Sequence, residues 1–159
     1  MGAGPMARAI EIFIDADACP VKDEVYRVAA RYRLKTHVVA NAFIFVPQDP
    51  LIARVVVEAG PDAADDWIAQ TARDGDIVIT ADIPLAQRAL NAGAAAIAPN
   101  GRAFTANSIG SAIAHRAIAE QIRSTGGFTA GPAPFERKDR SRFLQALDEA
   151  VTRALRQAR

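Results

Sequence analysis

Ile10-Glu-Ile-Phe-Ile-Asp-Ala-Asp-Ala-Cys-Pro20 decides how the chain is read. A short, β-branched, apolar run ends abruptly in two acids and a proline, which is a buried strand followed by a loop. Pro20 suits the first turn of a helix, where its missing N–H is no loss. Val21, Val25, Val28, Ala29 and Tyr32 then recur at spacings of three and four, an apolar stripe that predicts a helix through about residue 32.

The same alternation continues outward. Lys35–Asn41 and Ala53–Glu58 read as strands, separated by a loop bracketed by Pro47 and Pro50. Asp62 is a natural N-cap for a helix whose inner face is Ala64, Trp67, Ile68, Thr71 and Ala72. Asp74-Gly75 turns the chain into Asp76–Asp82, the clearest strand; Pro84 opens a helix that Gly93 ends, and Ala94–Ala98 is a fifth strand. Strands alternating with helices through short turns imply βαβ units and a parallel sheet. Continuous apolar strands imply helices on both faces. No strand is evident after Gly101. Ile109 and Ile113 share a helix face that Ile118 and Ile122 do not, Gly126–Pro134 is a Gly/Pro-rich connection, and Phe143, Leu147, Val151 and Leu155 mark a terminal helix. The expected architecture is a single three-layer α/β domain over residues 10–159, with a mainly parallel five-stranded sheet, C-terminal helices and a flexible tail at 1–9.

Composition agrees. A chain of 159 residues, half of them apolar and 23% charged, makes one globular core. One cysteine excludes an internal disulfide framework and suits a reducing compartment. No apolar run reaches a membrane span, the first residues lack a secretory signal's apolar stretch, and Met6 stands where a myristoylation motif needs Ser or Thr. A cytoplasmic protein is expected. Residues 1–101 hold 9 Lys/Arg against 13 Asp/Glu, a net of −4, and residues 102–159 hold 10 against 5, a net of +5. An acidic centre beside a phosphate-binding surface fits this asymmetry, as do solvated helix faces.

The position of the acids is more informative. Ligands of an open parallel sheet sit beyond the carboxyl ends of its strands. Asp15 and Asp17 follow the first strand, Asp82 follows the fourth, and Asp62, Asp65 and Asp66 start the helix after the third. Converging carboxylates repel unless a cation joins them. Oxygen ligands without a histidine pair suit Mg²⁺ or Mn²⁺ rather than zinc, and such ions favour phosphodiester hydrolysis. Taken singly, each acid at a helix start is equally well a cap; Asp15 and Asp82 tip the balance because both end strongly apolar strands. Helical phase puts Asp65 on the sheet side as a ligand and Asp66 on the solvent side as support. Asp62 is expected in a supporting role too. Asn41 and Thr80, at the ends of the second and fourth strands, are further supporting residues, though turn formation and packing also account for them. Arg102, Arg137, Lys138, Arg140 and Arg142 are candidates for phosphate contacts. Cys19 reads as a small core or cap residue rather than a nucleophile, since no histidine is evidently paired with it. No Walker loop, dinucleotide fingerprint or nucleophile-elbow serine occurs.

Asp15-Ala-Asp-Ala-Cys-Pro20, Val39-Ala-Asn41, Gly60-Pro-Asp-Ala-Ala-Asp65, Gly75-Asp-Ile-Val-Ile-Thr-Ala-Asp-Ile-Pro-Leu85 and Asp139-Arg140 together resemble the bacterial YaiI/YqxD family, in the family's order and from about residue 10 to 150. Where that pattern often reads Asn-Pro-Arg-Gly, this chain has Ala98-Pro-Asn-Gly101 and lacks the arginine. The family is similar in outline to PIN-like metal-dependent ribonucleases. The resemblance implies a PIN-like sheet with catalytic acids at Asp15, Asp65 and Asp82, Asp17 within the motif, and RNA as the partner. Two other readings stand beside a nuclease. Asp15-x-Asp17 after a strand imitates the nucleophile motif of haloacid-dehalogenase-like phosphatases, although Lys138 is the only lysine after Lys35. A catalytically inactive nucleic-acid-binding module would carry the same acids.

Overall fold

Residues 9–17, 19–58, 60, 62–110 and 135–158 are described by a computed structural model. Residues 1–8 of the expected tail at 1–9, the helix positions Ile113, Ile118 and Ile122, and the Gly126–Pro134 connection lie outside them.

Strand β1 (Glu11–Asp15) is central to a five-stranded sheet, flanked by β2 (Lys35–Ala40) on one side and β4 (Ile77–Ile79) on the other. Strand β3 (Ile52–Val56) is one edge and β5 (Ala95–Ile97) the other, giving the order β3-β2-β1-β4-β5. All four pairings are parallel, with Ile14 opposite both Val38 and Ile79. Every named strand therefore ends at the same edge. An isolated antiparallel bridge, Ile97 to Ala103, closes the turn after β5.

Alternate side chains of the buried strands enter two cores. Ile12, Ile14, Val38, Ile77, Ile79 and Ile97 face helix α1 (Lys22–Tyr32) and helix α4 (Arg137–Gln157), which contribute Val25, Val28, Phe143, Leu147 and Val151. Phe13, Val39, Val78 and Ala96 face helices α2 (Ala63–Thr71) and α3 (Ile83–Asn91), together with Ile109 from the helical residues 106–110. This is the three-layer arrangement that apolar strands require. Two ion pairs clamp α1 to α4 across more than a hundred residues of sequence: Arg31 to Asp148 at 2.9 Å and Arg140 to Glu24 at 3.3 Å.

Helix ends follow local chemistry. Asp82 caps α3, its Oδ1 accepting a hydrogen bond from the Leu85 N–H at 2.8 Å, with Pro84 in the first turn. Helix α4 opens on a capping box between Glu136 and Asp139. Asp62 occupies the N-cap of α2 as expected, but its side chain makes no capping bond. Gly101, at φ 91°, brings the turn after β5 so close to α4 that an added Cβ would lie 2.8 Å from the Arg142 carbonyl carbon. No helix among the described residues is long and apolar enough to cross a membrane.

Candidate functional site

Asp15 ends β1 with the parity of Phe13, so its side chain stands on the α2–α3 side of the sheet. Because Ile14 is registered against Ile79, the next residue of the neighbouring segment, Thr80, falls beside it. The Thr80 hydroxyl, 2% exposed, donates to Asp15 Oδ2 at 2.8 Å and accepts from the Asp82 N–H at 2.9 Å. One buried hydroxyl thus couples the exits of two strands. Asp65 projects into the same space from the first turn of α2, where the helix dipole favours a carboxylate.

The electrostatics show that these acids share one region. Burial raises the Asp15 carboxyl above its usual range; the Thr80 hydrogen bond opposes this, and Asp17 and Asp82 add to the rise. Asp65 is pushed up to about 6, first by burial and then by Asp82, Asp15, Asp62 and Asp66. A carboxyl surrounded by four others holds its proton to a higher pH, and positive charge joining it would reverse the shift. The oxygens left over after hydrogen bonding are also informative. Among the described residues, Asp15 Oδ1, Asp82 Oδ2 and both oxygens of Asp65 have no hydrogen-bond donor. As the side chains stand, no group of three or more His, Cys, Asp or Glu among the described residues is disposed to hold a metal ion. The donor set suits a hard cation in chemistry, while its spacing is wider than coordination needs.

The remaining expected residues divide between the site and its frame. Asp17 is exposed at the rim, and its Oδ2 accepts from the Asn41 N–H at 3.3 Å. Asn41 in turn donates through Nδ2 to the carbonyls of Glu58 and Gly60, at 3.3 and 3.1 Å, tying the approach to α2 against the end of β2. It is a framing residue. Asp66 points away to Arg88 of α3, an exposed ion pair of 2.7 Å, as helical phase predicts. Of the basic residues, Arg140 donates to the Pro20 carbonyl at 2.7 Å and lies over the Phe135 ring, and Lys138 pairs with Glu136 at 3.2 Å. Arg102 and Arg137 are exposed and have no ion-pair partner among the described residues. The contact of Gly101 with Arg142 and of Arg140 with Pro20 puts the basic start of α4 at the carboxyl edge, on the α1 side.

Lys22 is a rim residue that the sequence does not single out. Its ammonium donates to the Cys19 carbonyl at 2.9 Å, holding the Asp15–Cys19 turn from below. The only signal is its place at the first residue of a helix that follows two acids. Cys19 itself is buried, and burial raises its thiol above the ordinary value, so it is a core residue.

Comparison with known proteins bears on the whole chain. A family model described as "Uncharacterized BCR, YaiI/YqxD family" matches residues 13–153. A UPF0178 protein of Caulobacter vibrioides (strain NA1000 / CB15N) is 61% identical over 147 residues, 92% of this chain and 96% of the relative. A UPF0178 protein of Caulobacter sp. (strain K31) is 62% identical over 148 residues, 93% and 98% of the two chains. One of Rhodopseudomonas palustris (strain TIE-1) is 59% identical over 145 residues, 91% and 92% of the two. No solved structure matches the chain.

Proposed function

The chain belongs to the YaiI/YqxD family, and from its acid rim we propose that it is a PIN-like, divalent-metal-dependent nuclease that hydrolyses phosphodiester bonds in RNA. The observation that carries the reading is the grouping of Asp15, Asp65 and Asp82, from three separate segments, closely enough that Asp82 raises the charge cost of both others and Asp15 that of Asp65.

Asp15, Asp65 and Asp82 would hold Mg²⁺ or Mn²⁺, with Asp17 at the outer rim. A bound divalent ion supplies charge stabilisation at a phosphodiester and lowers the pKa of water. The chain's own part is to orient the acids. Thr80 fixes the Asp15 carboxylate through Oδ2 and leaves Oδ1 without a donor. The Leu85 N–H fixes Asp82 through Oδ1 and leaves Oδ2. Asp65 supplies a carboxyl whose proton leaves near neutral pH, so cation affinity rises as pH passes about 6. Arg102 and Arg137, exposed at the same edge, would place the phosphate backbone.

Asp82→Asn is the discriminating variant, because asparagine caps a helix as well as aspartate does and the fold is retained. Calorimetric titration with Mn²⁺ and an RNA cleavage assay are expected to show binding and cleavage by the wild type and neither by the variant. A wild type that binds no divalent ion at millimolar concentration overturns the proposal. A covalent phospho-aspartate at Asp15 would select the phosphatase instead, and salt-sensitive RNA binding without cleavage would select the inactive module.

A further inference from the structure

The loop that leaves β2 carries an aromatic pair in the open. Asn41, bonded to Asp17 at the acid rim, begins a stretch in which Phe43 and Phe45 face outward while Ile44 and Val46 pack against the core. Phe43 is 61% exposed and Phe45 87%, and their rings meet edge to face with centroids 5.2 Å apart. The exposed Arg54 of β3 lays its guanidinium over the Phe43 ring, 4.3 Å from the centroid. Among the described residues Arg54 has no carboxylate partner.

We propose that Phe43, Phe45 and Arg54 form a stacking platform for unpaired bases of a single-stranded RNA whose backbone continues to the acid rim. This rests on the nuclease reading and names the form of its substrate. Bases stack on aromatic faces whatever their sequence, and a guanidinium beside them meets the phosphate. The position suits this use. Arg54 is registered opposite Val38, one residue below the level of Asp15 and two strands away, a backbone separation of roughly 10 Å. It shares the parity of Ile52 and so stands on the α1 side of the sheet, and an RNA strand held there crosses the carboxyl edge to the acids over about two nucleotides. A duplex offers only base edges in its grooves and cannot present a base face to either ring.

A second copy of the chain fits less well. The two rings expose together roughly 300 Å², well short of the about 800 Å² per partner of a stable interface. An apolar partner would also bury Arg54 without a counter-charge.

The test measures binding of a fluorescein-labelled single-stranded oligouridylate and of a duplex RNA in EDTA, so that cleavage does not enter. Phe43→Ala/Phe45→Ala is expected to weaken single-strand binding at least tenfold, on the order of one or two lost stacks, with duplex binding changed less than twofold and the melting temperature unchanged. Phe45→Trp gives an independent readout: the emission of the introduced indole, taken as the difference from wild type, is quenched by the oligouridylate. Unaltered affinity in the double alanine variant, or unquenched emission in Phe45→Trp, overturns the platform. A wild-type dimer that the double variant dissociates also overturns it, in favour of a second copy. Loss of cleavage in Asp82→Asn with single-strand binding retained separates the platform from the metal site, so that either can fail alone.

Discussion

Asp65 holds its proton up to about pH 6 because burial and four neighbouring acids oppose its charge. An unfolded chain releases that proton near pH 4. Between those two values the folded protein binds the extra proton, so stability falls as pH rises through the window and levels off above it. Asp65→Asn removes the repelled charge. With solvent screening at this half-buried group, the expected gain at pH 7 is about 1 kcal/mol, or roughly 2–4 °C in melting temperature. Urea unfolding at pH 5 and pH 7 checks it: the wild type should gain on the variant as pH falls, while Mn²⁺ should raise the melting temperature of the wild type alone. A variant less stable than wild type at pH 7 contradicts the repulsion. That Asp66 turns outward while Asp65 stays near Asp15 and Asp82 is legible from helical phase, since Asp66 reaches Arg88 on the outer side. The role of Thr80 is not, because its hydroxyl meets Asp15 only through the register of β1 against β4, which no local pattern encodes.

Elements are legible from their periods, and the strand and helix positions follow the apolar runs to within a few residues. What escapes is which side each helix takes and which strands become edges, since both depend on the order of strands rather than on any one segment. Strand β3 illustrates this: its Val-rich sequence reads as buried, yet Val56 is 50% exposed at the sheet's edge. The seating of α4 against the turn after β5 is equally non-local, and Gly101 makes it possible. Gly101→Ala would impose a left-handed conformation on alanine and press its Cβ on the Arg142 backbone. The expected loss is about 2 kcal/mol or more. Gly75→Ala is the control, since its φ of 89° is similar but an added Cβ meets only Ile10, at an ordinary 3.6 Å. Denaturant midpoints of the two variants isolate the helix contact; equal losses would mean that the approach of α4 carries no weight.

At the scale of the molecule, α4 completes the core on the α1 side. Leu147 is fully buried among Ile and Val side chains of the sheet and α1. Leu147→Ala should therefore cost about 2–5 kcal/mol and leave a single cooperative urea transition, as expected of one domain. A biphasic transition would make α4 an appendage. The pairing of Arg31 with Asp148 and of Arg140 with Glu24 joins positions 117 and 116 residues apart. While the ribosome makes the protein, α1 and the central strands emerge long before residues 137–157 exist. A nascent chain at that stage displays the uncovered side of β1 to any chaperone nearby, and translation halted there releases a sticky fragment rather than a smaller working protein.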